Sequence, residues 1–190
     1  MNGRAVPGVL GRLARLVLAM VAVVLVPMIQ PAAARATVEP EKVIVGAFIH
    51  DIQLIDLEAD SFTIDFYLWF RWNSAKADPT DSIEPMNSNG MENTTTSEGG
   101  GVTGKALYDE PQIMPDGSKY MAYRYQGVFS KKMNLEKYPF DVQNLAVVFE
   151  DENQDVRQLE FIPDATPVAI SPAVTMPGYE IGTPALVVTG

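Results

Sequence analysis

The sequence predicts an all-β fold, an antiparallel sandwich of short strands, on three observations. Residues 62–72 alternate strictly between apolar even positions and polar or amphipathic odd positions, which is typical of a strand with one buried face. Pro115-Asp116-Gly117 is a turn signal, because proline presets the first corner and glycine accepts a positive φ. Beyond residue 36 no segment indicates a helix longer than a turn or two. Short strands with turn signals between them favour a β-sandwich.

The first 36 residues have the three parts of a secretory leader. Arg4, Arg12 and Arg15 precede an apolar run at residues 16–29, and Ala34-Arg35-Ala36 puts small residues where a signal peptidase cleaves. As a helix the run would rise about 21 Å, less than the roughly 30 Å hydrocarbon core of a bilayer. We therefore predict a cleaved signal peptide over residues 1–36 and one β-sandwich domain over residues 37–190. An uncleaved N-terminal anchor is the alternative.

Residues 37–190 are strongly acidic. The whole chain has 14 basic and 24 acidic residues, a formal net charge of −10. The predicted leader contains four arginines and no acid, so the remaining 10 basic and 24 acidic residues give −14. This balance argues against a nucleic-acid partner and permits cations to accumulate near the surface. The chain has no cysteine, which excludes disulfides and thiolate metal sites.

The strands are predicted in chain order from alternation and turn residues. Residues 43–57 and 62–72 form a hairpin through the acidic turn at residues 58–61, and residues 73–104 form a long polar loop with a glycine-rich end. An acidic loop at residues 151–155 and a proline-rich connection after residue 162 separate the later segments. Those later predicted strands are residues 119–129, 142–150, 156–162 and 179–189.

The tetrapeptide Tyr138-Pro139-Phe140-Asp141 is the most unusual turn of the chain. Pro139 fixes its own φ and restricts Tyr138 to an extended conformation, so two aromatic rings flank a rigid bend that ends in a carboxylate. A short segment cannot bury both rings by itself, and we predict that they dock on a neighbouring domain, subunit or membrane. A hairpin loop folded back onto its own core is the alternative.

The segment Tyr138-Pro139-Phe140-Asp141-Val142-Gln143 resembles the aromatic-Pro-Phe-Asp-x-Gln signature of pentameric ligand-gated ion channels, the Cys-loop receptor superfamily, in its cysteine-free prokaryotic form. Residues 62–72 resemble the family's second strand, with Trp72 at its characteristic tryptophan, and Pro115-Asp116-Gly117 resembles the preceding turn. The two cysteine positions of animal receptors correspond to Lys131 and Leu145.

The resemblance covers residues 43–189 and departs from the family at two points. Leu107-Tyr108-Asp109-Glu110-Pro111 is a poor match to the family's Trp-x-Pro stretch, which belongs to its first principal-face binding loop. The family's final strand with its ligand-capping loop, and its four pore helices, have no match in this sequence. We therefore expect a receptor domain whose membrane pore domain is absent from this chain.

The family resemblance implies an immunoglobulin-like β-sandwich at the periplasmic face of the inner membrane, assembled as a homopentamer that binds a small-molecule or ionic ligand between subunits. A Trp and a Tyr there could hold a cation through their ring faces, and an Arg could pair a carboxylate. Each of these roles has an alternative. The strand face could pack between subunits without a ligand, and the arginine at position 124 could be solvated. The acidic loop at residues 150–155 could hold Ca²⁺ or could be a solvated loop. The candidate ligand-binding residues are Tyr67, Trp69, Arg71, Arg124, Glu150 and Asp151.

Two loops are implied to rest on the pore domain and to transmit binding to it. In the family the signature Asp, here Asp141, pairs with an arginine just before the first pore helix; an unpaired buried charge would be costly. The implied coupling residues are Asp56, Glu58 and Asp60 in the hairpin turn and Tyr138, Pro139, Phe140 and Asp141 in the signature.

The predicted function is therefore non-enzymatic, with no catalytic residue, cofactor or resident metal. A periplasmic sensor module of the same fold, acting without a pore, is the first alternative. An exported hydrolase is the second, and it would have to use His50, the single histidine, although the chain has no G-x-S-x-G elbow.

Overall fold

The computed structural model describes residues 39–74, 78–89 and 102–189. The predicted leader and the glycine-rich end of the predicted polar loop lie outside the described residues. The described part contains strands and one 3₁₀ helix, Pro79–Asp81, and no α-helix, which confirms the all-β class. It likewise contains no helix with the length and apolar character needed to cross a bilayer. The strands are β1 (Glu41–Asp56), β2 (Ser61–Trp72), β3 (Ile83–Pro85), β4 (Thr103–Ala106), β5 (Gln112–Ile113), β6 (Lys119–Ser130), β7 (Phe149–Asp151) and β8 (Leu159–Ile170).

The predicted first hairpin is confirmed, with β1 antiparallel to β2. Its turn is held by Asp56, whose Oδ1 accepts the backbone N–H groups of Glu58 at 3.0 Å and Ala59 at 2.9 Å. Asp60 completes the turn with a φ of 51°. Asp and Asn favour such positions because their side chains bond the backbone nearby and tolerate the left-handed region.

The larger sheet has the order β4-β6-β2-β1-β8, with β5 also paired to β6. Strands β2 and β6 are antiparallel in unbroken register, from Ser61 opposite Ser130 to Trp72 opposite Lys119. Strand β8 runs parallel to β1, so the sheet is mixed and the predicted purely antiparallel arrangement is wrong. A parallel pair needs a long crossover, and the chain between β1 and β8 supplies one.

The core lies on the even-numbered face of β2, as the alternation predicted. Its side chains there are all buried: Phe62, Ile64, Phe66, Leu68, Phe70 and Trp72. The smaller sheet, β3 paired with β7, covers this face. The ring of Phe149 in β7 lies 6.0 Å from that of Phe66 and 5.0 Å from that of Tyr125. The described chain is thus built in two layers around one apolar core.

Three predicted strands differ from the structure. The one predicted over residues 142–150 is reduced to β7, which pairs with β3 up to Phe149 opposite Pro85. Beyond that pair the Met86 N–H still donates to the Val148 carbonyl, but side-chain hydrogen bonds from Asn87 replace the rest of the ladder. The Asn87 amide donates to the oxygen of Ala146 at 2.8 Å and accepts from the N–H of Val148 at 2.8 Å. Residues 179–189 form no strand, because their apolar alternation finds no partner strand among the described residues.

The third difference concerns β8, which begins at Leu159 and continues to Ile170 through the predicted proline-rich connection. Val45 pairs with Pro163 and Ala47 pairs with Val168, so residues 164–167 bulge out opposite Gly46. Prolines are tolerated at sheet edges and bulges, and β8 is the edge strand of the described sheet. The predicted polar loop also differs, since it contains the 3₁₀ helix, β3 and the first two residues of β4.

The turn before β6 is confirmed. Gly117 has a φ of 83°, which favours glycine, and its N–H donates to the oxygen of Met114 at 2.9 Å. Asp116 Oδ1 accepts the N–H of Ser118 at 3.0 Å and its hydroxyl at 2.6 Å. These hydrogen bonds lower the pKa of Asp116 below its ordinary value, and the charge of Arg71 adds a smaller effect.

Candidate functional site

The odd-numbered side chains of β2 form a partly buried face on the side of the large sheet away from the core; we call it the outward face. It carries Tyr67, Trp69 and Arg71. Strand register puts Tyr67 between Phe48 of β1 and Arg124 of β6. The Arg124 guanidinium carbon lies 5.6 Å from the centre of the Tyr67 ring, within cation–π range. The structure therefore brings four of the predicted ligand-binding residues onto one surface.

Arg124 is engaged by a carboxylate of the same chain. Its Nε donates to Asp65 Oδ1 at 2.9 Å and its Nη2 to Oδ2 at 2.5 Å, a bidentate pair. Asp65 is only 3% exposed. The hydrogen bonds from Arg124 lower the pKa of Asp65 although burial opposes them, and the same pairing raises the pKa of Arg124. Sequence reasoning passed over Asp65, although a lone acid among buried strand residues requires a partner.

Trp69 is fixed by a contact that the sequence did not reveal. Its Nε1 donates to Asp164 Oδ2 at 2.9 Å, from the bulge of β8 across strand β1. The indole lies flat over Gly46, where a side-chain methyl group would overlap its ring. The sequence predicts a connecting segment at Asp164. Its place beside Trp69 depends instead on the parallel pairing of β8 with β1.

Arg71 lies opposite Tyr120 of β6. Burial raises the pKa of Tyr120 above its ordinary value, and the charges of Tyr108 and Asp164 raise it further. The rings of Tyr108 and Tyr120 meet edge to face with centres 6.3 Å apart. Tyr108 also lines an open cavity of about 590 Å³ together with Leu107, Asp109, Glu110 and Gln112. The stretch that is a poor match to the family's Trp-x-Pro motif thus lines a shallow, open depression, and the Tyr108 ring connects it to Tyr120.

Glu150 and Asp151 lie in β7, in the smaller sheet, and the structure does not bring them to the outward face. Asp151 Oδ2 accepts the hydroxyl of Ser82 at 2.9 Å, and its Oδ1 accepts the N–H groups of Asn153 and Gln154. Glu150 is exposed opposite Glu84. Nowhere in the described ranges do three or more His, Asp or Glu side chains gather in a way that could hold a metal ion.

The two predicted coupling loops are joined at one end of the sheet. Asp60 Oδ1 accepts the N–H of Met133 at 2.7 Å, and the Asp60 carbonyl accepts the N–H of Lys131 at 2.7 Å. Met133 is buried in the core. Asp56 and Glu58 belong to the same turn. The hairpin turn and the segment that leads into the signature therefore form one hydrogen-bonded unit.

The signature loop is closed by an amide. Gln143 Nε2 donates to the carbonyl of Asn134 at 2.8 Å, the N–H of Asn134 donates to Gln143 Oε1 at 3.3 Å, and Gln143 Nε2 also donates to Asp141 Oδ2. These bonds span the loop between Lys131 and Leu145. The Gln143 side chain thus closes the loop by hydrogen bonds, in a sequence that has no cysteine to form a disulfide.

The tip of this loop is exposed. Tyr138, which precedes Pro139 through a cis peptide bond, is 63% exposed, Phe140 is 90% exposed and Val142 is 93% exposed. The alternative in which the loop folds back onto its own core is therefore wrong for these three side chains. An exposed group of large apolar side chains is typical of an interaction surface.

We expect Gln143→Ala to lower the free energy of unfolding by about 1 kcal/mol, because the loop loses its closing hydrogen bonds. Hydrogen exchange at the Asn134 amide should become faster, since its acceptor is removed. Asn144→Ala serves as the control, because Asn144 is exposed and its side chain makes no hydrogen bond with the described residues. Equal exchange at Asn134 in both variants would contradict the closing role of Gln143.

The chain matches no protein-family model, and a search of curated proteins found no match to it. What the chain does is therefore inferred from its own residues. Two features carry that inference, namely the outward face of β2 and the joined loops at the end of the same strand.

Proposed function

We propose that this chain is the ligand-binding domain of an exported receptor of the pentameric ligand-gated channel type. It has no catalytic role in this proposal. Its two layers form an immunoglobulin-like β-sandwich, and ligand binds where the outward face of one subunit meets a neighbouring copy. The single observation that carries the proposal is that β2 holds Tyr67 and Trp69 and begins directly after the joined loops.

Strand β2 is suited to transmit a displacement. It pairs with β1 on one side and with β6 on the other along its whole length, so its residues move together. A ligand that favours one position of Trp69 therefore favours one position of Ser61 and of the adjacent Asp60. Because Asp60 holds Lys131 and Met133, that preference reaches the signature loop. Ligand binding then shifts the population between two arrangements of the loops.

The exposed loop tip supports the proposal that the domain contacts a membrane-embedded partner. Tyr138, Phe140 and Val142 together offer an apolar surface that water does not favour. In the proposed receptor they contact the pore domain at the periplasmic face of the inner membrane, and Asp141 pairs with a basic residue there. Five copies around one axis would place five such tips on the pore. Glu150 and Asp151 would face the ligand from the neighbouring subunit.

The coding sequence downstream of Gly190 tests this proposal. We expect four apolar segments of about 20 residues each, with a basic residue just before the first. A stop codon directly after Gly190 would overturn the pore role. The domain would then act as a periplasmic sensor module, and its loop tip would contact a different effector.

A functional measurement on the protein encoded by the whole gene separates binding from coupling. Phe140→Ala should reduce the ligand-evoked current and leave ligand affinity unchanged, because Phe140 lies on the exposed loop tip and not among the residues of the outward face. Val187→Ala, another exposed apolar residue, is the control. If Phe140→Ala and Val187→Ala give equal currents, the tip is not the coupling surface.

A further inference from the structure

We infer that Asn87 is a positioning residue that fastens the two ends of the signature loop, residues 131–145, to each other and to the smaller sheet. The inference deepens the proposed function and rests on it in one respect, that the position of this loop matters for coupling. Gln143 closes the loop from within, whereas Asn87 belongs to the segment that follows β3. Neither the strand patterns nor the family resemblance singled out this asparagine.

The side-chain amide of Asn87 bonds the backbone on both sides of the loop. Its Nδ2 donates to the carbonyl of Ser130, the last residue before the loop, at 2.9 Å. The same nitrogen donates to the carbonyl of Ala146, the first residue after the loop, at 2.8 Å. An asparagine amide has two N–H donors, so one nitrogen can hold both carbonyl groups. The two ends of the loop are thus within hydrogen-bond reach of a single atom.

Asn87 is itself held by both sheets. Its Oδ1 accepts the N–H of Val148, directly before β7, at 2.8 Å. Its backbone carbonyl accepts the N–H of Ser130, at the end of β6, at 2.7 Å. The next residue, Ser88, forms an isolated bridge with Phe129, which is completely buried. The asparagine therefore cannot move without displacing the strand ends on both sides of the loop.

The partners of Asn87 show that it joins segments and does not only shape its own turn. Asparagine in an ordinary turn bonds backbone groups about two residues away. The side-chain partners of Asn87 lie 43, 59 and 61 residues away along the chain. A carboxylate in the same place would lack the two donors, and a hydroxyl would supply only one. The amide is thus the group that this junction requires.

The clamp lies where animal receptors of the family carry their disulfide. The residues that Asn87 bonds are the immediate neighbours of Lys131 and Leu145, which correspond to the two cysteine positions in the family resemblance. This chain has no cysteine, so no covalent bond can join the two ends. Hydrogen bonds from one side chain hold the base of the loop instead.

The clamp also connects the loop to a second candidate binding strand. Strand β7 carries Glu150 and Asp151, and Val148 directly before it is bonded to Asn87. A displacement of β7 therefore reaches both ends of the loop through one side chain. This connection does not pass through Asp60, which joins the loop to the start of β2. In the proposed receptor the loop thus responds to the smaller sheet as well as to the larger one.

The distance between the two ends of the loop, measured by pulsed electron resonance on the protein recovered after expression of the full chain, tests the inference. Spin labels are attached at Lys132→Cys and Asn144→Cys, because both residues are exposed and no native cysteine competes for the label. With Asn87→Ala we expect a broader distance distribution and a longer mean distance, since the folded protein loses the bonds that hold the ends together. An unchanged distribution would overturn the inference.

Asn153→Ala is the matched control for this measurement. It removes the same amide from an exposed side chain that makes no hydrogen bond within the described ranges, so the distance distribution should stay as in the wild type. A residue that only stabilised the fold would lower the thermal midpoint and leave the distance in the folded protein unchanged. Equal broadening by Asn87→Ala and Asn153→Ala would therefore also overturn the inference.

A disulfide between Lys131→Cys and Leu145→Cys gives a second test, which stays decisive where Asn87→Ala alone folds poorly. In the oxidised protein the disulfide holds the ends, so Asn87→Ala should lower the urea midpoint by less than about half of the loss that it causes after reduction. Equal losses in both states would assign Asn87 to general packing and overturn the inference. Failure of the two thiols to form a disulfide in the folded protein would show that the ends lie apart, with the same consequence.

These results separate the inference from the proposed function. A working clamp together with a stop codon after Gly190 would reject the pore alone. Pore helices in the gene, together with loop ends that do not respond to Asn87→Ala, would reject the clamp alone.

Discussion

Phe129→Ala should lower the free energy of unfolding by about 4 kcal/mol, one of the two largest effects expected in this chain. Phe129 is completely buried, and its ring centre lies 6.0 Å from that of Phe62 and 5.9 Å from that of Phe66. Alanine would remove most of an aromatic side chain from a position where β2, β6 and the bridge to Ser88 meet. The surrounding strands cannot close such a cavity without breaking their hydrogen bonds, so the full cost should appear.

Urea unfolding followed by tryptophan fluorescence measures this loss, and Phe140→Ala is its control. The same side chain is removed, but Phe140 is 90% exposed, so its truncation should change the free energy of unfolding by less than about 0.5 kcal/mol. Comparable destabilisation by both variants would contradict the division between a buried core ring and an exposed ring. The slope of the urea dependence should stay unchanged in both, since the surface exposed on unfolding is similar.

The strands that the sequence predicts well are those whose alternation is strict. The even positions of residues 62–72 are all apolar, and one buried face is the only arrangement that removes them from water, so β2 appears with its predicted bounds to within one residue. The first hairpin and the Pro-Asp-Gly turn follow from local chemistry, since Asp56 and Asp116 bond backbone N–H groups within three residues.

The strands that failed depend on partners distant in sequence. Leu145, Val147 and Phe149 are spaced by two, as in a strand, yet the side chain of Asn87 and not a neighbouring strand bonds the backbone at Ala146 and Val148. Strand β8 contains two prolines and still pairs with β1. Pro167 lies in the bulge opposite Gly46, and Pro163 lies on an edge strand, where its missing N–H has no second strand to bond. No local pattern indicates either arrangement.

The candidate site shows the same contrast between features that local sequence predicts and features that depend on distant partners. Tyr67, Trp69 and Arg71 share a face because they are two residues apart on one strand, which the sequence shows directly. Asp65 shares that face by the same spacing, but its partner Arg124 lies 59 residues away in β6, and Asp164, the partner of Trp69, lies 95 residues away in β8. The resemblance implies the residue types of the candidate site, but only the contacts show that the charge of Arg124 is paired with Asp65.

Arg124→Met should lower the urea midpoint at pH 7 by about 1 M, because it leaves the Asp65 carboxylate buried without its partner. Arg157→Met is the control. Arg157 pairs with Asp155 at the same distance of 2.5 Å, but that pair is exposed to solvent, so its removal should leave the midpoint unchanged. Equal effects of the two substitutions would mean that the Asp65 pair is no more than a surface contact.

The dependence on pH distinguishes the lost pair from lost packing. In the wild-type protein the pKa of Asp65 lies below its ordinary value of 3.8, chiefly through the Arg124 hydrogen bonds. Its contribution to stability is therefore present above pH 3.8 and lost as the pH falls through the folded-state pKa. In Arg124→Met the hydrogen bonds and the charge of Arg124 are lost, so burial, which raises the pKa of Asp65, is opposed only by the smaller effect of the His50 charge. The destabilisation therefore appears as the pH rises above 3.8. The gap between the two proteins should thus be largest near neutrality and should close in acid.

A double variant completes this argument. Asp65→Asn in the Arg124→Met background removes the unpaired charge, and we expect the midpoint to recover partly and to lose its extra dependence on pH. A pH-independent gap that Asp65→Asn does not narrow would assign the loss to packing of the arginine stem against Tyr67.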